Sequence, residues 1–418
     1  MEYGLIGEKL GHSFSKIIHN EICDYDYELK ELSRDELATF MRKAEFKAIN
    51  VTIPYKQSVI PFLDEIDEIA EKIGAVNTIV NKSGSLIGYN TDFQGMTAMI
   101  LKAGINLKNK KVLILGTGGT SKTALCVAES MGAKSVLKVS RSGGATGIVT
   151  YDEAYSEHND ADIIINTTPC GMYPNIGESA VDINKFPNLS GVIDAVYNPL
   201  NSYLVCTAKE KGIPACGGLY MLVSQGVAAA EKFTGTQINS SETDRVYNKI
   251  LLSKRNLVLI GMPSCGKSTV GKILANELDM QFVDSDEVIT QKAGISIPEI
   301  FEKYGEEDFR KLESKVIAEI SLRQNTVIAT GGGAILNKRN IDLLKENGIV
   351  IFIDRPLENL LPTDDRPLSS DSEMLQKRYN ERYSIYVSSA HAVATADGDV
   401  EDTKNKVKEM FLNENSCD

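Results

Sequence analysis

"LVLIGMPSCGKSTVGKILA", residues 257–275, is an apolar run, a glycine-rich turn and an amphipathic segment in direct succession. From Gly261 to Ser268 the turn has the pattern GxxxxGK[ST], after a predicted strand and before a predicted helix. In that setting backbone amides cradle phosphates, Lys267 reaches the outer phosphate oxygens and Ser268 can ligate Mg²⁺. Gly261, Cys265, Gly266, Lys267, Ser268 and Thr269 are therefore candidate nucleotide contacts, with Cys265 read as a small filler of the loop. A second stretch of the same plan, "VLILGTGGTSKTALCVA", occupies residues 112–128. Its Gly116, Gly118 and Gly119 close a strand and open a helix, which suits the pyrophosphate of a dinucleotide. Ser121 stands where a third glycine is usual.

The end of the next predicted strand separates two cofactors. An acidic residue there holds the ribose 2′-hydroxyl of NAD. This chain has Ser140, Arg141 and Ser142 instead. A cation between two hydroxyls suits a 2′-phosphate, so NADP(H) is expected in preference to NAD. The loop after Arg141, "SGGATG", lacks a second basic residue.

The 418 residues hold two or three domains at ~100–200 residues each. A hydrophobic fraction of 42% and a charged fraction of 24% are those of an ordinary globular protein. The net charge of −12 argues against non-specific binding to nucleic acid or an anionic membrane. Seven cysteines with no CxxC pair, and four histidines, argue against a disulfide framework or a structural zinc site. The start, "MEYGLIGEKLGHSFSK", has no basic segment leading into a long apolar run. A cytoplasmic location is expected, with no signal peptide and no membrane span. For assembly, a homodimer is one of the arrangements open to the chain.

Short β-rich runs alternate with helical patterns, which argues α/β with mostly parallel sheets. "EYGLIG", "AINVTI" and "NTIV" read as strands, "DEIDEIAEKI" and "DFQGMTAMILKAG" as helices. A second series has strands "KKVLILG", "SVLKVS", "ADIIINTT" and "GVIDAVY". Helical pattern returns over 218–233, and Ser241 is expected to cap a last helix reaching Ser253. The third series has strands "NLVLIG", "QFVD", "TVIAT", "IVIFID" and "AVATA". The expected domains are a substrate domain, 1–100 completed by helices at 218–253, a Rossmann-like dinucleotide domain, 101–217, and a P-loop domain with a parallel sheet, 254–418.

Ahead of the first glycine turn, polar residues sit in apolar surroundings. "GHSFSKIIHN" offers Ser13 and Ser15, "INVTIPYK" offers Asn50, Thr52 and Lys56, "GAVNTI" offers Asn77, and "GYNTDFQG" offers Asn90, Thr91 and Asp92. Together they suit a small polyhydroxylated molecule, with one Lys–Asp pair among them. The ordered set HSxSxxxHN, NVTxPxK, AVNT, NTD, GxGGxS and GLxMLxxQ resembles shikimate dehydrogenase over residues 1–253. The resemblance implies reduction of 3-dehydroshikimate by NADPH. It implies that Ser13 and Ser15 bind the substrate carboxylate, that Thr52, Asn77, Asp92 and Gln225 contact its hydroxyls, and that Tyr197 lies near it. Lys56 and Asp92 would be the catalytic pair. A positioned ammonium can stabilise and protonate the oxygen that becomes negative as hydride reaches its carbon. Lys16 stands where the family usually has proline.

After the second glycine turn, "FVDSDEVI" puts Asp284 and Asp286 at a strand end. One acid can hold Mg²⁺ through water and the other can accept a proton from an acceptor hydroxyl. Arg310 in "GEEDFRKLE" and Arg382 in "NERYSIY" can clamp a carboxylate. "IATGGGAIL" brings Gly331, Gly332 and Gly333, where backbone can approach a ligand. "DDRPLSSD" reads as a lid with Arg366 meeting the transferring phosphate. This set resembles shikimate kinase over 254–418. The resemblance implies that Arg310, Arg382 and Gly331–Gly333 bind shikimate, that Asp286 holds the acceptor hydroxyl as candidate base, and that Asp284 serves the metal. Pro362 stands where the family usually has a further lid arginine near the adenine.

Two glycine turns then serve two consecutive reactions, with ATP and Mg²⁺ following NADPH, in the synthesis of aromatic amino acids. No direct hand-over of the intermediate is expected, because each half resembles a complete enzyme. Three other readings are kept: a quinate dehydrogenase using NAD, a kinase half reduced to a nucleotide-binding module, and a P-loop kinase of another small metabolite.

Overall fold

Strands covered on both faces carry unbroken apolar runs, and the second and third series show such runs. In the computed structural model, which describes residues 1–11, 14–144, 146–360 and 372–414, these runs form two all-parallel sheets. The first lies in the order Ala215–Cys216, Gly191–Asp194, Ile163–Asn166, Lys111–Leu115, Ser135–Val139, Ile148–Val149. The other lies in the order Gln281–Asp284, Thr326–Ala329, Asn256–Ile260, Gly348–Asp354, Ala392–Thr395. Val112–Leu115, Ile163–Ile165 and Leu257–Ile260 are all fully buried.

The N-terminal sheet is mixed, in the order Tyr27–Glu31, Tyr3–Gly7, Ala48–Val51, Thr78–Lys82, Ser85–Tyr89, Glu65–Ile66. Ala48–Val51 runs antiparallel to Thr78–Lys82, with Asn50 opposite Thr78. That register sets Asn77 beside the strand that leads to Thr52 and Lys56. Helix Thr91–Lys102 packs on helix Leu219–Thr234 at Gly95, where a Cβ would stand 2.6 Å from the Met221 carbonyl. The chain divides into two units. One comprises Met1–Met172, Glu178–Asn198 and Thr207–Lys249, the other Tyr173–Gly177, Pro199–Cys206 and Ile250–Asp418. Among the described residues no helix is long and apolar enough to cross a membrane.

Three local expectations need correction. Tyr27–Glu31 is a strand that the apolar pattern missed, because four of its five side chains are exposed and charged or apolar in no alternation. "DEIDEIAEKI" is not one helix. Glu65–Ile66 pairs with Ile87–Gly88, and helix Glu68–Ile73 starts only after Asp67, whose carboxylate accepts from the Ile69 amide. The last helix of the first unit is Ser240–Leu252, and Asn239 accepts the Ser241 amide at 3.0 Å in place of a Ser241 cap. Ser85–Tyr89, also unread from the sequence, completes a hairpin through Ser83 and Gly84, both at positive φ.

His19, from the HSxSxxxHN run, sits fully buried in the helix Ser15–Ile22, stacked on Tyr27 at 4.0 Å and bonded to the Tyr25 hydroxyl at 2.6 Å. Burial pushes its imidazole down from the ordinary 6.5 to about 3. Between those values the unfolded chain binds a proton that the folded chain refuses. The His19 contribution is therefore complete above pH 6.5 and is lost on acidification through that window, by up to ~1.4 kcal/mol per pH unit. Urea unfolding at pH 5 and pH 7 should show a steeper pH dependence for the wild type than for His19→Phe; equal slopes would refute the buried neutral imidazole.

Candidate active sites

The first site grows from the antiparallel register. The Val51 amide donates to the Asn77 carbonyl at 2.8 Å and the Val76 amide donates to the Lys56 carbonyl at 2.8 Å, so Lys56 and Asn77 are held side by side. Asn77 Oδ1 accepts from the Thr91 amide at 2.7 Å, and its Nδ2 donates to Asp92 Oδ1 at 2.9 Å. The other Asp92 oxygen accepts from Lys56 Nζ at 2.6 Å. Asp92 lies in the first turn of its helix, where the dipole favours an anion. The pair is only partly buried, with side chains 30% and 17% exposed.

Lys56 and Asp92 open onto a cleft of about 500 Å³ that Ser15, Thr52, Asn77, Tyr197 and Gln225 also line. Thr120, from the first turn of the glycine-turn helix, lines the same cleft. Tyr197 meets Phe14 edge-on at 5.7 Å, and burial pushes its phenol up. Gln225 donates to the Leu222 carbonyl at 2.9 Å. Ser13 lies outside the described residues. Asn50 reaches the cleft wall, but its amide is engaged with Tyr27 and Thr78. Asn90 and Thr91 are buried behind the wall, Asn90 donating to the Ala75 carbonyl at 2.9 Å. Their part is to build the scaffold, which polar residue type alone did not distinguish from ligand contact.

Gly116 has φ 102°, and a Cβ there would press on Thr167 and Thr168 at 3.0 and 3.1 Å. Above Gly118 and Gly119 a Cβ would meet nothing within 4 Å, so the approach to the helix Gly119–Ser130 is open. Ser121 is buried and its hydroxyl donates to the Gly118 carbonyl at 2.7 Å, which closes the turn from inside. Ser140 accepts from the Gly143 amide at 3.1 Å, while Arg141 and Ser142 are exposed beyond the strand Ser135–Val139. A side-chain-free helix end beside an exposed guanidinium fits a dinucleotide that carries an extra phosphate.

In the second site the Gly261–Ser268 loop wraps its own lysine. Lys267 is buried, and its Nζ donates to the Gly261 and Met262 carbonyls at 3.0 and 2.9 Å, with Cys265 Sγ at 3.6 Å. Gly266 has φ 101° and precedes the helix Lys267–Glu277, whose first turn carries the exposed Thr269. Ser268 Oγ donates to Asp284 Oδ2 at 2.5 Å. A hydroxyl and a carboxylate oxygen so placed fit Mg²⁺, which takes one or two protein oxygens and fills its shell with phosphate and water. Asp284 also caps the helix Ser285–Ala293 through the Asp286 amide, which fixes Asp286 one residue into that helix.

Asp286, Arg310, Arg382 and Gly331–Gly333 line one cavity of about 850 Å³. At two of the glycines a side chain would displace the ends of the cavity's own side chains. A Cβ on Gly331 would stand 2.5 Å from Asp286 Oδ1, and one on Gly333 would stand 2.1 Å from Arg310 Nη1. Arg382 Nη1 and the Tyr386 hydroxyl both donate to the Gly332 carbonyl, at 3.1 and 2.5 Å. Arg366 and Pro362 lie outside the described residues.

Among the cavity residues that escaped the sequence reading, two interact by charge with both Arg310 and Arg382. Glu313, one turn after Arg310, is 2% exposed and accepts from Arg310 at 2.8 Å. Burial works against the Arg310 charge, and the carboxylates of Glu313 and Glu306 together more than offset it. The i,i+3 spacing was the available signal. Arg378, four residues before Arg382, is the other. Burial and then repulsion from Arg382 push its guanidinium down. Arg310, Arg378 and Arg382 share this lining with four acids, Asp286, Glu287, Glu299 and Glu313, so the paired donors of the guanidinium groups, and not a net positive charge, would select a carboxylate.

Residues 5–79 match the family model "Shikimate dehydrogenase substrate binding domain", and residues 263–412 match "Shikimate kinase". A shikimate dehydrogenase (NADP(+)) of Clostridium perfringens is 38% identical over 265 residues, covering 59% of this chain and 97% of that protein. A chorismate mutase/shikimate 5-dehydrogenase fusion protein of Clostridium acetobutylicum is similar in structure, with a TM-score of 0.56 and 37% identity over 59% of this chain and 96% of the other. A shikimate 5-dehydrogenase of Thermus thermophilus, solved with NADP(H) and shikimate, gives a TM-score of 0.54 and 26% identity over 60% and 99% of the two chains.

Removing Glu313 leaves Arg310 beside two like charges without its buried partner. Glu313→Ala is expected to lower the stability of the second unit by on the order of 3 kcal/mol in urea unfolding. An unchanged transition would mean that Glu306, which also accepts from Arg310 at 3.1 Å, is partner enough.

Proposed function

Since the chain belongs to the shikimate dehydrogenase family and carries a shikimate kinase domain behind it, we propose that it converts 3-dehydroshikimate to shikimate and then to shikimate 3-phosphate. The observation that carries the first step is the shared cleft, in which the Lys56–Asp92 pair and the first turn of the glycine-turn helix face one space. NADPH bound along that turn would supply the hydride. Lys56 would donate a proton to the carbonyl oxygen as its carbon is reduced. Asp92 would hold Lys56 charged and in place while Asn77 fixes the second carboxylate oxygen. Ser13 and Ser15 would take the carboxylate, Thr52 and Gln225 the hydroxyls, and Tyr197 would cover the ring. Gly116, Gly118 and Gly119 would admit the pyrophosphate, with Arg141 and its flanking serines on the 2′-phosphate. Solved relatives are known with NADP(H) and with NAD; the relatives at 33–38% identity that are named shikimate dehydrogenase (NADP(+)) support NADP(H) here.

For the second step, MgATP would supply the phosphoryl group, with Ser268 and Asp284 as the metal ligands. Arg310 and Arg382 would bind the shikimate carboxylate against the side-chain-free Gly331–Gly333 wall. Asp286 would accept the proton of the attacking hydroxyl. Lys267 would leave the loop carbonyls for the phosphates, and Arg366 would close over them. The division into 1–100 with 218–253, 101–217 and 254–418 goes with this reading and is supported by the three separate sheets. A cytoplasmic site of action goes with it as well.

Lys56→Met should lower ketone reduction by about 10²–10⁴-fold and leave shikimate phosphorylation intact. Asp286→Asn should do the reverse. Assays of each half in both variants test this. Loss of both activities in either variant, or near-normal reduction in Lys56→Met, would refute the assignment.

A further inference from the structure

Arg355 follows the strand Gly348–Asp354, which runs parallel to the strand that feeds the phosphate loop, with Phe352 opposite Ile260. The two strands deliver their next residues to the same edge. Gly261 opens the loop so close to the neighbouring strand that a Cβ would stand 2.7 Å from the Ile353 carbonyl. Arg355 then reaches across to the other end of the loop. Its Nη1 is 4.0 Å from where a Cβ of Gly266 would be, the residue before the helix Lys267–Glu277.

This guanidinium has no assigned work within the fold. Its Nε is shielded from water and, among the described residues, meets no hydrogen-bond acceptor. The neighbouring carboxylate of Asp354 accepts from the hydroxyls of Tyr383 at 3.0 Å and Tyr379 at 3.4 Å, and among the described residues Arg355 forms no ion pair. A shielded donor without a partner is costly and rare, and a cation so placed is explained by an anion that arrives later. The loop beside it is a phosphate cradle, and Lys267, the cation within that loop, is tied to the loop carbonyls.

We propose that Arg355 is a phosphate-binding residue of the nucleotide site, its planar donors meeting the polyphosphate chain beside Gly266. This rests on the kinase reading above. It adds a contact from the end of the strand Gly348–Asp354, on the side of the loop away from Asp286 and the Gly331–Gly333 wall, which belong to strands on the other flank of Asn256–Ile260. A guanidinium suits this place because its fork can bridge two phosphate oxygens while its stem remains packed.

Calorimetric titration of the full chain with three probes, ADP, inorganic tripolyphosphate and shikimate, tests it. Arg355→Met should weaken ADP and tripolyphosphate by about tenfold or more, as expected for a charge-assisted contact, and leave shikimate affinity unchanged. Arg355→Lys should recover part of both losses. Equal affinities of wild type and Arg355→Met for both phosphate probes would overturn the proposal while the kinase reading stands. Weakened ADP with unchanged tripolyphosphate would overturn it too, by moving the contact to the base or ribose. A wild type that binds no ADP would overturn the kinase reading and the proposal with it. If Arg355→Met also loses shikimate, Arg355→Gln, which keeps the stem and a donor, decides: wild-type phosphate affinities in that variant would overturn the assignment.

Discussion

At the carboxyl end of a parallel strand the chain must reverse before its helix begins, and the leading amides of that helix have no partners within it. Those amides can serve a phosphate only if no side chain lies between. Both glycine turns of this protein satisfy that constraint, and the rest of each site is arranged around it. In the first unit, the space above Gly118 and Gly119 is open, and Thr120 next to them lines the cleft that also carries Lys56 and Asp92. In the second unit glycines recur at the Gly261–Ser268 loop and again at Gly331–Gly333, where the backbone lies close to the ends of the Asp286 and Arg310 side chains.

Electrostatics follows from this geometry. The chain carries a net charge of −12, yet the proposed ligands of each site are anionic, so positive charge has to be local. Lys56 is held by one carboxylate whose second oxygen is already taken by Asn77. Arg310 is held by Glu313, buried one turn away, while Arg378 and Arg382 crowd the same cavity. Lys56 and Arg310 are each fixed in place by an acid.

Much of this was legible in the sequence because it depends on local order. Strand, glycine turn and helix are consecutive, so both glycine turns could be read directly as turns between a strand and a helix, and Asp284 and Asp286 follow a strand in the same way. What depends on packing was not legible. Asn50, Asn90 and Thr91 have the chemistry of ligand contacts but are used up in holding Asn77 and its strand. The edge strand Tyr27–Glu31 has too many charged side chains to show a strand period. Glu313 and Arg378 are ordinary charges on helices until burial turns them toward one cavity. Arg355 reads as a charge in a turn, and only the pairing of its strand with the loop-bearing strand puts it beside Gly266.

In the proposed sequence the product of the first reaction is the substrate of the second, which would give the joining of the two units a chemical rationale. The most direct measurement is mass analysis of the products formed when purified protein receives 3-dehydroshikimate, NADPH, ATP and Mg²⁺ together. Shikimate 3-phosphate, formed with one NADPH oxidised and one ATP consumed for each molecule, is the predicted result. Accumulation of shikimate with ATP untouched would contradict the account, because the second glycine turn and its arginine-lined cavity would then not be a working kinase.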